Sequence, residues 1–295
     1  MSGTSHDLLV VEDATISYPA QAGPAVAVRD ATFSIGYGER VAIVGESGSG
    51  KTTLALAIAG LLTAPGAEAV FGRFEFDGSP VHRSPVRPPI PYRTPGMSMV
   101  FQNAMVSLDP VAPIGSQFVD VLRGLERIRP AAARARAAEL LRSVGLADTD
   151  RILRLRPYEL SGGMRQRVML ALAVCSDPRL LIADEPTSAL DAAVSREVMD
   201  LLRDMTDRTG AGLLVVSHDI ELCRMYVDRV VVMYRGEIVD ICRADRIESD
   251  ATHRYTLALT SCVPTLESAR ADRLPTLDDT MLAEQLAGAG RAVPA

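Results

Sequence analysis

A chain of 295 residues sits near the upper limit of one compact domain or makes two modest ones, and its 47% of hydrophobic residues is enough for a real core. Charged residues make up 23%, close to the globular norm, which excludes wholesale disorder. A net charge of −6 and a pI of about 5.3 argue against a general nucleic-acid binder, because affinity for a phosphate backbone needs clustered positive charge.

The chain opens on strands. LLVVEDATIS (8–17) and VAVRDATFSI (26–35) mix β-branched residues with polar alternation, and the stretch from Pro19 to Pro24 supplies the turn between them. RVAIVG, ending at Gly45, is the continuous apolar run of a buried parallel strand. Past the glycines that follow, TTLALAIAGLL carries a helical apolar pattern. Residues 80–96 are too dense in proline for regular structure and predict a surface loop between strands. From Gly115 to about Gly145 the Ala/Arg/Leu-rich sequence predicts two or three helices, and Ser161 with its two following glycines suits a helix N-terminus. RLLIADEP (179–186) and AGLLVVSHD (211–219) are short buried strands, with a helix from about Asp191 to Thr209 between them. The tail beyond about Ser249 has little periodicity apart from a short helix near Leu282. Strands and helices alternating around a helical insert predict an α/β core with a helical subdomain.

No run approaches the roughly 20 apolar residues that span a bilayer. The N-terminus, MSGTSHDLL, lacks the basic and apolar regions of a signal peptide. Cys175, Cys223, Cys242 and Cys262 are scattered without a CxxC pair, which favours reduced thiols of a soluble cytoplasmic protein over a metal cluster.

The sharpest chemical signal is GESGSGKT, Gly45 to Thr52, which fits G-x-x-x-x-G-K-[ST]. Gly45, Glu46, Ser47, Gly48, Ser49 and Gly50 predict a loop whose backbone N–H groups turn inward as an anion nest. Lys51 then reaches β- and γ-phosphates and the Thr52 hydroxyl ligates Mg²⁺, with Thr53 closing the segment. Of the 31 basic residues only Lys51 is a lysine. Codon bias explains an excess of arginine, and it makes the surviving lysine informative, because a compact ammonium does what a planar guanidinium cannot.

LLIADE places Asp184 at the C-terminal end of a buried strand, the edge at which α/β proteins bind ligands. A carboxylate there suits Mg²⁺ held through its waters, and Glu185 suits the task of orienting or deprotonating an attacking water. His218 ends another buried strand. A lone histidine is more often structural, but at this edge it is placed to contact the γ-phosphate.

At LSGGMRQR, Leu160 to Arg167, the sequence resembles the signature of the ATP-binding-cassette (ABC) family. Serine and two glycines opening a helix make a second anion site, with free N–H groups and the positive end of the helix dipole. The resemblance implies that two subunits pack head to tail, each ATP lying between one chain's phosphate loop and the Ser161, Gly162, Gly163 and Met164 of the other. It also implies that Tyr18 stacks on adenine, that Gln102 senses Mg²⁺ and the attacking water, and that Ser188 to Asp191 cross the dimer interface. Glu185, His218, Gln102 and Lys51 become the expected catalytic set, with Thr52, Gln102 and Asp184 around the metal.

More narrowly, FQNAMVSLDPVAPIGSQ, YELSGGMRQRVMLALAV and THRYTLALTSCVP resemble the oligopeptide, dipeptide and nickel importer branch. Asn103-Ala104 stands where Asp-Pro is usual and Arg254 where Pro is usual, while Met164 suits this branch. Neither departure removes a catalytic group; both bear on the substrate. The implied fold is α/β, a P-loop NTPase core of the ABC ATPase type with an antiparallel β subdomain and an inserted helical subdomain at about 103–175. The nucleotide-binding domain is expected over 8–250, followed by a C-terminal extension over 251–295.

The implied function is the ATP-hydrolysing subunit of a membrane importer taking up peptides, with nickel or a metal–opine complex as the second choice. Implied partners are two transmembrane permease subunits, a second ATPase subunit (a copy or a paralogue) and an extracytoplasmic substrate-binding protein, with the chain peripheral on the cytoplasmic face. The rivals are a soluble ABC protein acting on DNA or ribosomes and a non-catalytic cassette. Against the first stand the single cassette, the short distance from Lys51 to Ser161 and the acidic pI; against the second, the presence of Glu185 and His218.

Overall fold

The computed structural model describes residues 7–21, 23–81, 94–102, 107–188 and 190–261. The proline-rich segment at 82–93, Asn103-Ala104, Cys262 and the helix expected near Leu282 lie outside the described residues. The chain runs through β1 (Asp7–Tyr18), β2 (Ala25–Gly36) and β3 (Arg40–Val44) into α1 (Lys51–Ala59), then β4 (Glu68–Val70), β5 (Arg73–Phe76), β6 (Ser79–Pro80) and β7 (Met97–Val100). A helical stretch follows: α2 (Ile114–Leu125), α3 (Pro130–Ser143), α4 (Thr149–Ile152) and α5 (Gly162–Ala173). The second half alternates β8 (Leu180–Asp184), α6 (Ala192–Thr209), β9 (Gly212–Ser217), α7 (Ile220–Arg224), β10 (Arg229–Tyr234), β11 (Glu237–Arg243), α8 (Ile247–Asp250) and α9 (Arg254–Ser261).

Two sheets organise these elements. β1, β2, β4, β5 and β6 make a five-stranded antiparallel sheet; the other six run in the order β11-β10-β3-β9-β8-β7. That second sheet is parallel except at the β10–β11 hairpin. Helix α1 lies between the sheets, and its Leu54, Ala55, Ala57 and Ile58 share one core with Val41 and Ile43 of β3 and with Leu9, Val11 and Phe33 of the antiparallel sheet. Being apolar on most of its circumference is what a helix buried on two sides requires. The opposite face of the parallel sheet is covered by the helices, where Phe118, Leu122, Leu141, Val168 and Leu202 pack with Ala42, Val44 and Val215.

Local chemistry sets the boundaries. α1 ends where Gly60 turns left-handed (φ 76), so the apolar run TTLALAIAGLL leaves the helix before Leu61 and Leu62. On α6, Ser195, Val198, Met199, Leu202, Met205 and Thr206 are buried, the spacing of one helix face. Asp191 accepts from the N–H groups of Ala193 and Val194 at its start, and Gly210 closes it. The tail is more ordered than its weak periodicity suggests: α9 is docked with Tyr255, Thr256 and Ala258 buried. Eight residues are too few for a helical period to stand out in the sequence. Of the two or three helices expected between Gly115 and about Gly145 the structure has two, Ile114–Leu125 and Pro130–Ser143, and the helix expected at Ser161 starts there.

Phe118 is fully buried among these helices. Phe118→Ala leaves a cavity where neighbouring helices meet the sheet and should lower stability by about 3–5 kcal/mol. Urea unfolding reads this directly, and a shift well under that range would show that the helices are loosely packed on the sheet.

Candidate active site

Parallel strands deliver the candidate residues to one edge. In register, Val44 of β3 pairs with Ser217 of β9, Val216 of β9 with Asp184 of β8, and Ala183 with Val100 of β7. The segments that follow these strand ends therefore emerge side by side: the loop at Gly45, Glu185, His218 and Gln102. This carboxyl edge is where ligands bind in open α/β sheets.

The Gly45–Gly50 loop wraps tightly. Lys51 is only 4% exposed, and its Nζ donates to the carbonyls of Gly45 (2.8 Å) and Glu46 (2.7 Å). Burial pulls the Lys51 ammonium below the usual lysine range, against the raising influence of Glu185, Asp184 and Glu46. Gly45 (φ +154) has no room for a side chain, since a Cβ there would sit 2.1 Å from the Met233 carbonyl oxygen. A Cβ at Gly50 (φ +98) would meet the Ala27 carbonyl oxygen at 2.6 Å. Ser49 Oγ is buried with no hydrogen-bond partner among the described residues, an unsatisfied donor in a loop built for anions.

Beside the loop, Thr52 Oγ1 donates to Asp184 Oδ1 at 2.9 Å. Burial raises the Asp184 carboxyl above the usual range, partly offset by the Thr52 hydroxyl and Lys51. A hydroxyl and a carboxylate together suit a hard cation such as Mg²⁺. No group of three or more His, Cys, Asp or Glu side chains that could hold a metal by itself occurs among the described residues.

Glu185 stands one residue beyond the strand with a left-handed backbone (φ 45), an uncommon conformation for glutamate that turns its side chain away from Asp184's direction. Its Oε2 lies 3.2 Å from His218 Nδ1 and accepts from Gln102 Nε2 at 3.4 Å. His218 stays 63% exposed while Glu185 is 17% exposed, so a half-buried carboxylate is held beneath an open imidazole.

The sequence candidates thus fall into linked groups. Tyr18 Oη is 3.2 Å from Thr53 Oγ1, which brings the expected adenine contact to the first turn of α1. Ser188 donates its N–H to the Glu185 carbonyl at 3.1 Å, and Asp191 caps α6. Glu46, Ser47 and Gly48 are exposed on the loop's outer side. Ser161, Gly162, Gly163 and Met164 are not hydrogen-bonded to the loop among the described residues. Ser161 Oγ instead caps α5 by accepting the Met164 N–H at 3.2 Å. Added Cβ atoms at Gly162 and Gly163 would meet nothing within 4 Å, so this helix start faces open space.

Two contacts were not foreseen from the sequence. Gln166 Nε2, buried on α5, donates to the Pro186 carbonyl at 2.9 Å and braces the turn after Glu185. Tyr255 Oη accepts the Glu46 N–H at 2.8 Å, tying α9 to the phosphate loop across 209 positions of sequence. A single polar side chain reaching back from a distant helix leaves no local pattern to read.

Comparison with known proteins supplies an independent line. Residues 28–188 match the family model described as ABC transporter. The oligopeptide transport ATP-binding protein OppD of Bacillus subtilis is 38% identical over 273 residues, which cover 92% of this chain and 76% of that protein. The peptidoglycan transport ATP-binding protein YejF of Agrobacterium fabrum is 39% identical over 265 residues, 90% of this chain but 48% of that protein, so the chain spans about half its length. Among solved structures, the dimeric ATP-binding cassette MJ0796 in a post-hydrolysis state bound to ADP and Pi superimposes with a TM-score of 0.66 at 26% identity, covering 80% of this chain and 98% of that one.

The clash at Gly45 yields a stability test. Gly45→Ala must push the loop off the Met233 carbonyl and should cost about 1–3 kcal/mol in backbone strain. Gly124→Ala, on an exposed helical site with nothing within 4 Å, should instead gain about 0.5–1 kcal/mol. Denaturant midpoints of the two variants should move in opposite directions; a neutral Gly45→Ala would mean that the loop is not pinned against β10.

Proposed function

The chain belongs to the ABC transporter family, and from that premise we infer that it is the ATPase subunit of a peptide importer, hydrolysing ATP to ADP and phosphate. The observation that carries this reading is the convergence, at one sheet edge, of the Lys51 loop, the Thr52–Asp184 pair and the Glu185–His218–Gln102 group.

Each group has a distinct task. The loop from Gly45 to Thr53 cradles the phosphates: N–H groups not already bonded within the protein and the Ser49 hydroxyl, without a partner among the described residues, face negative charge, and Lys51 exchanges carbonyl oxygens for the β- and γ-phosphates. Thr52 and Asp184 would hold Mg²⁺, with Gln102 close by, and the ion supplies neutralising charge at the phosphate oxygens when bound. Tyr18 supplies a face for adenine. Glu185 takes the proton of the attacking water, while Gln102 and His218 keep its carboxylate oriented and His218 remains open enough to reach the γ-phosphate.

The open helix start at Ser161 to Met164 serves the nucleotide of a second subunit. A helix N-terminus facing open space attracts anions through its dipole, and the phosphate loop of its own chain does not occupy it. Ser188 and Asp191 lie where two such subunits meet. In this reading 8–250 is the nucleotide-binding domain, 103–175 its helical subdomain and 251–295 an extension. The assembly contains two permease subunits, a second ATPase subunit and an extracytoplasmic substrate-binding protein. No helix among the described residues is long and apolar enough to cross a membrane, in keeping with a subunit attached peripherally at the cytoplasmic face through its partners. Peptides are the favoured cargo, since the relatives' names specify oligopeptide and peptidoglycan transport.

Glu185→Gln separates binding from chemistry. The amide keeps the side chain's size but cannot take up a proton, so turnover should fall by about 10²–10⁴ while Mg²⁺-ATP binding survives. The variant should accumulate as an ATP-dependent dimer on size-exclusion chromatography, alone or with its partner ATPase, and adding Ser161→Arg should dissolve it. Normal hydrolysis would overturn the base assignment; a persistent monomer with partner present would overturn the composite site.

A further inference from the structure

The phosphate loop carries an attachment that the roles above do not use. Tyr255, on α9, is fully buried, and its hydroxyl oxygen accepts the Glu46 N–H at 2.8 Å. That N–H belongs to the same peptide unit whose carbonyl, Gly45 O, accepts from Lys51 Nζ at 2.8 Å. One peptide plane is therefore clamped from both sides, by a phenol on the N–H and an ammonium on the C=O. Rotating the plane breaks both bonds at once. The clamp is needed because Gly45 carries no Cβ to restrict rotation of the plane that follows it.

The clamp is itself firmly held. The Tyr255 ring stacks on Tyr234 with centroids 4.3 Å apart and planes at 24°. Tyr234 follows Met233, whose carbonyl abuts Gly45, and the hairpin tip beyond it donates the Gly236 N–H to the Ser49 carbonyl at 3.1 Å. The segment leading into α9 is fastened to β11, where Asp240 accepts from Thr252 N (3.2 Å), Thr252 Oγ1 (2.7 Å) and His253 N (2.9 Å). Burial pushes the Tyr255 phenol up to about 12, so it stays a neutral hydroxyl throughout the physiological range.

We propose that Tyr255 is a positioning residue for the nucleotide site, holding the Gly45–Glu46 peptide in the orientation that Lys51 and the phosphates require. α9 is then a working part of the phosphate loop, although it lies in the C-terminal segment and far outside the motif. A loop held in its binding geometry loses less freedom when ligand arrives, so removing the clamp weakens binding more than it slows the chemical step. This rests on the reading of the loop as the ATP site.

The test is Tyr255→Phe in the full chain, which keeps the ring and its stacking and removes only the acceptor. ATP affinity by calorimetry, KM and kcat, and melting temperature without nucleotide are measured beside wild type and Lys51→Ala. Loss of one neutral hydrogen bond corresponds to a factor of about 2–12, so Kd and KM should rise by that factor with kcat at saturating ATP retained. Unchanged or tighter binding, with or without a drop in melting temperature, would overturn the proposal and leave Tyr255 a structural residue. Lys51→Ala should abolish hydrolysis and weaken ATP binding whatever Tyr255 does; if it binds ATP like wild type, the ATP-site reading fails instead. Should Tyr255→Phe not fold by circular dichroism, Asp240→Ala, which releases Thr252 and His253 and loosens α9, carries the same expectation and the same contradiction.

Discussion

A single buried ammonium organises the nucleotide edge of this protein. Lys51 sits at the first position of α1, 4% exposed and wrapped by the loop that precedes it. Its Nζ donates to the loop's own carbonyls at Gly45 and Glu46, which draws the loop into a ring around the charge. The carboxylates of Asp184 and Glu185 lie near enough to raise its proton affinity, yet burial outweighs them. A cation kept this way is held ready for a ligand that brings more negative charge than the protein supplies.

The rest of the site follows from that enclosure. Asp184 is buried at a strand end and resists ionisation, and its carboxylate accepts from the Thr52 hydroxyl. A lysine held below and a carboxylate held above their usual ranges in one cleft suit charges that await a ligand. Glu185 is spared that burial by the left-handed turn after β8, which directs it toward His218 and Gln102. Two adjacent acidic residues thereby acquire different surroundings, one dry and paired to a hydroxyl, the other half-open and held by an amide and an imidazole.

Much of this was readable from the chain because the chemistry is carried by contiguous segments. The loop, the DE strand end and the SH strand end each announce themselves within eight residues, and a parallel sheet places successive strand ends on one edge. Resemblance to a known family added Tyr18 and Gln102, which no local physics singles out; of these the structure brings Tyr18 to Thr53 and Gln102 to Glu185. What escaped was of two kinds. Short elements carry too little period: the eight residues of α9 show no pattern of their own, and the apolar run of α1 continues through Leu61 and Leu62 past the Gly60 at which the helix ends. Long-range polar contacts left no trace either, since nothing near Tyr255 or Gln166 says that their partners are Glu46 and Pro186.

The arginine-rich composition offers the most direct test of the central claim, that a compact ammonium at position 51 organises the site. Everywhere else this chain uses guanidinium for positive charge. Lys51→Arg preserves the charge but brings a planar fork that cannot place point-like donors on both the Gly45 and Glu46 carbonyls or on the phosphates they make way for. Steady-state ATP hydrolysis by the arginine variant, with Mg²⁺ and saturating nucleotide, should fall to background. Wild-type turnover in that variant would contradict the account.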